Sequence, residues 1–123
     1  MNIEQLRSFC LSLKGAEETM PFDETTIVFT VMGKMFCLTD LTDLTWINVK
    51  CDPDTALELR ARYEEVTPGY HMNKKHWNSV RTNGSIPWHQ IKEWITDSYN
   101  LVVAGLPKKV REELISRSLK TNL

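Results

Sequence analysis

Between His71 and Arg81 the sequence gathers three cations, Lys74, Lys75 and Arg81, with two imidazoles, His71 and His76, and the indole of Trp77. Fixed cations beside flat side chains are what a surface needs to neutralise phosphates and to stack on unpaired bases. Asn73 and Asn78 add amides able to hydrogen-bond base edges or sugars. The same residue types also allow a structural reading, in which Tyr70 and Trp77 anchor the core, Asn73 shapes a turn and the lysines keep a loop hydrated. A second group of cations, Lys108, Lys109 and Arg111, falls in the first turn of a helix opened by Pro107. The helix dipole disfavours positive charge there by about a few tenths of a kcal/mol each. That placement suits an anion held at the exposed N–H groups. It equally suits pairing of Lys108 with Glu112 and Lys109 with Glu113, although lysine N-terminal to glutamate is the weaker order. The candidate nucleic-acid-binding set is therefore His71, Asn73, Lys74, Lys75, His76, Trp77, Arg81, Lys108 and Lys109.

Other chemistries find less support. Three histidines and three cysteines could in principle hold zinc, yet there is no C-x-x-C or H-E-x-x-H, and His71 and His76 stand five apart, off helical spacing. No metal and no cofactor are expected. No G-x-S-x-G elbow is present, and Cys10, Cys37 and Cys51 lie among apolar neighbours, where a thiolate is disfavoured. The five glycines are dispersed, so no phosphate-cradling loop is formed. A non-catalytic protein is expected.

The composition, 123 residues with 41% hydrophobic and 25% charged, excludes disordered and low-complexity classes and predicts a single domain over residues 1–123. The longest stretches without a charged residue, 82–91 and 98–107, are about half of what a membrane-spanning helix needs. The N-terminus has no basic start followed by an apolar run, so no secretion signal is expected. With an odd number of widely spaced cysteines, buried reduced thiols and a cytoplasmic location follow. Net charge is −1, but unevenly spread: residues 1–65 carry twelve acids against six bases, and residues 66–123 four acids against nine bases. Either the halves attract each other or one basic face is left for an anionic partner.

The elements that must position these residues follow from periodicity. Ile3, Leu6, Phe9, Cys10 and Leu13 recur at helical steps, Asn2 and Gln5 make a capping box, and Gly15 supplies the stop. From Thr25 the period becomes two, with Ile27, Phe29 and Val31 on one side. Met32-Gly33-Lys34 reads as a hairpin turn into a strand Met35 to Thr39. After a turn at 41–44, Ile47, Val49 and Cys51 face one way and Trp46, Asn48 and Lys50 the other. Asp52-Pro53 opens a helix with Ala56, Leu59 and Tyr63 inward and a Glu58–Arg62 pair outward. Thr67-Pro68-Gly69 breaks the chain, and a last strand runs from Trp77 to Thr82. Trp88, Ile91, Trp94, Ile95, Tyr99 and Val102 mark one apolar helix face, closed by a left-handed cap at Gly105. A final helix turns Val110, Leu114 and Ile115 inward. The order is N-terminal helix, meander, helix, strand and two C-terminal helices: an α+β fold, an antiparallel sheet with helices packed on one face.

Three segments, Trp46-Ile47-Asn48-Val49-Lys50-Cys51, Pro68 to Trp77 (PGYHMNKKHW) and Ser98 to Lys109 (SYNLVVAGLPKK), together resemble the MmcQ/YjbR family of small bacterial proteins. The resemblance covers nearly the whole chain. It implies a fold like that of the CyaY/frataxin group, and DNA binding with no enzymatic reaction. Frataxin's acidic iron-binding ridge is not reproduced, because Glu4, Glu17, Glu18, Asp23 and Glu24 are scattered, so iron binding is not carried over. The leading expectation is a DNA-binding protein using the basic-aromatic segment, assisted by Lys108 and Lys109, with no membrane role. The alternative is a protein- or small-ligand-binding module with Trp46 and Trp77 exposed on the sheet, since tryptophan favours interface centres. Exposure of both indoles discriminates the two.

Overall fold

The Asn2 side chain accepts from the Gln5 N–H at 2.8 Å and the Gln5 side chain accepts from the Asn2 N–H at 3.0 Å, a reciprocal cap that starts α1 (Ile3–Ser12). The computed structural model describes residues 1–121, with side-chain placement to Arg117. Past Gly15, which sits at φ 71° where an added Cβ would overlap Leu114 Cδ1, the chain enters β1 (Ala16–Thr19). There follow β2 (Thr26–Val31), β3 (Lys34–Asp40), β4 (Asp43–Lys50), α2 (Pro53–Arg62), β5 (Val66–Pro68), β6 (Trp77–Arg81), α3 (Trp88–Ala104) and α4 (Lys108–Thr121). The strands form one antiparallel sheet in the order β1-β2-β3-β4-β6-β5.

Local chemistry sets each join. Met32 (φ 50°) and Gly33 (φ 81°) are both left-handed, the two-residue hairpin geometry that matches strand twist. Asp52 accepts from the N–H groups of Asp54 and Thr55, with Pro53 at the first helical position. Beyond the Cys37–Val49 pair, Ser98 of α3 stands between β3 and β4. Its hydroxyl donates to the Phe36 carbonyl at 2.6 Å and accepts from the Lys50 N–H at 2.8 Å. A fully buried serine is thereby satisfied, and α3 is fixed to the middle of the sheet.

All four helices lie on one face. The main core joins Leu6 and Cys10 of α1, Leu59 of α2, Ile91, Trp94, Ile95 and Val102 of α3 and Leu114 of α4 to Phe29, Ile47 and Val80 of the strands. A second, smaller cluster, Val28, Leu38 and Trp77 with Met35 and Met72, lies on the opposite face and includes no helical residue. The expected α+β layer is thus present. No helix among the described residues is long and apolar enough to cross a membrane.

Several expectations are corrected. β1 was not anticipated, and Thr67-Pro68, read as a break, belongs to an edge strand, where a missing proline N–H costs no ladder bond. Gly105 takes φ −86°, not a left-handed cap; its N–H reaches the carbonyls of Leu101 and Val102. Ile115 is 59% exposed, since α4 turns Val110 and Leu114 inward instead. Arg62 lies 5.5 Å from the Tyr63 ring and makes no ion pair with Glu58. Cys10 and Cys37 are buried as expected, whereas Cys51 is half-buried.

Candidate functional site

The helix-free face of the sheet is paved in register. Across β4 and β6 the outward pairs are Trp46–Arg81, Asn48–Ser79 and Lys50–Trp77. Across β3 and β4, Leu38 lies beside Asn48. The Arg81 guanidinium sits 4.9 Å from the Trp46 ring centre, a cation–π contact on a half-exposed indole. Ser79 Oγ donates to Asn48 Oδ1 at 2.5 Å and accepts from the Tyr70 N–H at 3.0 Å, so the polar floor is internally satisfied.

Two loops rise over this floor and enclose a cleft of about 840 Å³. One precedes β2 and carries Phe22 and Asp23; the other joins β5 to β6 and carries Tyr70, His71 and Met72. Phe22 (63% exposed) and Tyr70 (71% exposed) stand as unburied aromatics at the rim, and Tyr70 lies against His71 with ring centres 4.0 Å apart. The volume is within the range of small-molecule sites.

The second loop is built firmly. The Gly69 N–H donates to the Trp77 carbonyl at 2.8 Å, and a Cβ at Gly69 would come within 2.8 Å of Trp77 Cβ. Asn73 Oδ1 accepts from the N–H groups of Lys75 (2.9 Å) and His76 (3.3 Å). From α2, Arg60 reaches across to donate to Asn78 Oδ1 at 2.7 Å, to the Trp77 carbonyl at 3.2 Å and to the Lys74 carbonyl.

One end of the cleft is acidic. Asp23, Asp40 and Asp43 stand at successive strand ends, with Thr26 opposite Asp40 and Asp40 opposite Asp43. Asp23 accepts from the N–H groups of Thr25 (2.9 Å) and Thr26 (2.6 Å), which hold its carboxyl below the usual range. The Thr45 hydroxyl, then the Thr45 N–H, does the same for Asp43. Asp40 Oδ1 accepts from Thr42 N–H (2.7 Å) and hydroxyl (2.6 Å). No lysine or arginine lines the cleft. Among the described residues, no group of three His, Cys, Asp or Glu side chains is placed to hold a metal ion.

The sequence-predicted residues are dispersed by this geometry. Trp77 is only 8% exposed, packed with Val28 and Leu38, and is not available as a stacking surface. Asn73 is occupied with its turn. Lys74 Nζ donates to the Gly69 carbonyl at 3.1 Å. Lys75 and His71 are exposed and His76 is half-buried. Asn78 is buried and serves Arg60. Lys108 and Lys109 are exposed at the start of α4, which packs through Val110 and Leu114 into the helix-side core, in the layer opposite Arg81 and Trp46. Among the described residues, none of Lys74, Lys75, Arg81, Lys108 and Lys109 forms an ion pair with a carboxylate. Glu65 is lowered chiefly by the Ser85 hydroxyl, with a smaller contribution from the charge of Arg81.

Of the two indoles offered as an exposed patch, only Trp46 is accessible. Phe22, Asp23, Asp40, Asp43 and Met72 were missed as cleft residues. The Asp-x-Thr spacing at Asp23, Asp40 and Asp43 was a signal for side-chain-capped turns, but nothing in it showed that the turns share one cleft. A second cavity of about 360 Å³ lies on the helix side, lined by Val49, Cys51, Leu59, Trp94 and Asp97. Burial raises the Cys51 thiol, the opposite of what a nucleophile needs.

This architecture has close counterparts. The chain is 40% identical over 107 residues to the uncharacterized protein YbdF of Escherichia coli O157:H7, covering 86% of this chain and 88% of that protein. It is 30% identical over 116 residues to the uncharacterized protein YjbR of Escherichia coli strain K12, covering 94% and 98%. The crystal structure of Deinococcus radiodurans protein DR2400, which carries the domain DUF419, superposes with a TM-score of 0.86 at 39% identity, over 92% of this chain and 87% of that one. A Pseudomonas syringae protein follows with a TM-score of 0.70 at 26% identity, over 82% and 98%. Because the YjbR family model matches residues 11–101, from α1 through most of α3, and full-length relatives agree with it, the chain belongs to the YjbR family.

Proposed function

We propose that this protein is a non-catalytic binding module whose ligand is a small molecule seated in the cleft on the helix-free face of the sheet. The observation that carries this reading is the cleft itself: about 840 Å³, floored by Leu38, Trp46 and Ser79 and rimmed by the exposed rings of Phe22 and Tyr70. Exposed aromatics beside a half-exposed tryptophan leave apolar area uncovered, and a ligand that covers it gains the corresponding burial energy. A binding role fits the floor chemistry. The Ser79 hydroxyl donates to an amide oxygen and not to a base, so it is not activated for attack. The free thiols of Cys10, Cys37 and Cys51 suit a reducing, cytoplasmic setting.

Amide chemical-shift mapping of the full chain against a library of aromatic fragments tests the reading. Saturable shifts confined to 22–26, 38–48 and 67–79 are expected, and their loss in Trp46→Ala. Hits scattered over the surface, or none, refute it.

Nucleic-acid binding is the second reading, favoured by one observation: Lys74, Lys75 and Arg81 form no direct ion pair with a carboxylate among the described residues, and Arg81 lies on an accessible ring. Its surface is then Lys75, Arg81 and Trp46, without Trp77, Lys108 or Lys109. Labelled duplex and single-stranded DNA titrated at two salt concentrations decides it. Duplex binding with a salt slope that falls by about 1 in each of Lys75→Ala and Arg81→Ala supports this reading. Binding without salt dependence removes it.

A further inference from the structure

Resting on the cleft reading above, we infer that the ligand is a small organic cation: a flat or apolar body lying over Leu38, Trp46 and Met72, with an ammonium, amidinium or guanidinium head at the carboxylate end. The charge arrangement carries this. Asp23, Asp40 and Asp43 supply three carboxylates to one end of a cleft otherwise lined by apolar and neutral polar side chains and by His71, and no lysine or arginine lines it. Their turn bonds keep Asp23 and Asp43 ionised at neutral pH. Asp40 and Asp43 cap their turns through Oδ1 alone, which leaves each Oδ2 able to accept from a ligand.

The carboxylates do not converge as a metal site, because no such group of three is formed among the described residues. Separated carboxylates suit the N–H donors of an organic cation better than a hard inorganic ion, which needs several oxygens converging on one point. The exposed rings of Phe22 and Tyr70 at the rim add quadrupole attraction of the same sign. Anionic occupants, nucleotides included, meet repulsion from all three carboxylates once inside the cleft. Charge complementarity thus selects one occupant class from those the volume alone permits.

The test uses matched probes of similar shape: tryptamine, 3-propylindole and indole-3-acetate, and separately benzamidine, benzamide and benzoate, each titrated into the full chain with amide shifts read at neutral pH. The cationic member of each set is expected to bind in the cleft about tenfold tighter than its neutral partner, and less tightly as salt is raised. Asp40→Asn with Asp43→Asn keeps both Oδ1 turn acceptors while removing two charges. This double variant is expected to lose that preference, so that the cationic probe and its neutral partner bind alike. Neutral probes that bind the cleft as tightly as the cations overturn the charge assignment but leave the cleft as a binding site. Anions preferred in the cleft do the same. No probe of any charge entering the cleft overturns both. A preference for cations that survives the double variant refutes the role given to Asp40 and Asp43.

Discussion

Arg60 offers the sharpest test of how the cleft is held in shape. It projects from α2 on the helix side yet bonds Asn78, Trp77 and Lys74 at the root of the loop that walls the cleft. Arg60→Ala removes a charge-assisted bond to Asn78 Oδ1, worth about 1.5–3 kcal/mol. Asn78 is 1% exposed, so its oxygen is left without a partner, a desolvation penalty of about 1–3 kcal/mol that overlaps the first figure. The Lys74 carbonyl belongs to an exposed residue and recovers water, and the Trp77 carbonyl keeps its bond from the Gly69 N–H, so they add little. A net loss of about 3 kcal/mol follows, on the order of 10 °C in Tm. Urea unfolding followed by tryptophan fluorescence measures it, with an unchanged m-value as the check that the native state stays compact. Amide exchange should quicken at Gly69 and Trp77, whose bonds depend on the loop. Arg60→Lys keeps the charge but not the fork, and should recover less than half of the loss. A loss below about 1 kcal/mol, or unchanged exchange at those two amides, would show that Arg60 does not brace the loop.

Trp77→Ala should cost about 3–5 kcal/mol by opening the open-face core, whereas Trp46→Ala should cost under about 1.5 kcal/mol; equal losses in thermal melts would contradict the placement of the two indoles. Gly69→Ala must push Trp77 Cβ and Met72 Cβ away from 2.8 and 3.0 Å and should destabilise by about 1–3 kcal/mol, read from the urea midpoint. Glu18 is held below its ordinary 4.5, first by its hydrogen bond from Arg7, and Asp23 and Asp43 lie below their ordinary 3.8. The folded state therefore takes up these protons later than the unfolded one: the stabilisation is present above those ordinary values and is lost as pH falls through the folded ones. Urea midpoints should be level from pH 7 to about 5 and drop below about 4.5, more shallowly in Glu18→Gln. Asp97 carries the opposite sign, since burial and then the charge of Glu93 raise it, so Asp97→Asn should raise the midpoint at pH 7.

The helix-side architecture was readable because its signals are local and agree. The Asn2–Gln5 cap, the Asp52-Pro53 start and the 3.6-residue stripe of α3 each point to the element found. β1 escaped because Ala16-Glu17-Glu18-Thr19 has little strand propensity of its own; its pairing with β2 and the Arg7–Glu18 contact at 2.8 Å hold it. β5 escaped because proline and glycine punctuate a central strand but are tolerated at an edge. The site was less legible for a different reason. Alternation placed Trp46, Asn48 and Lys50 on one face, but whether that face is open depends on loops some fifty residues apart in sequence folding over it. Trp77 illustrates the point: its strand position is that of an outward residue, and only Met72 arriving from the loop, with Val28 and Leu38 beside it, makes it core.

The sheet is flanked by its two shortest strands, β1 with four residues and β5 with three, the latter ending at Pro68. Such margins make poor templates for another molecule's backbone: too brief to recruit a long ladder, interrupted by an imino acid on one side and bordered by Glu17 and Glu18 on the other. The molecule can thus leave a broad β surface uncovered without inviting strand-by-strand polymerisation, and lengthening either margin with alternating valine and threonine should be enough to start fibril growth.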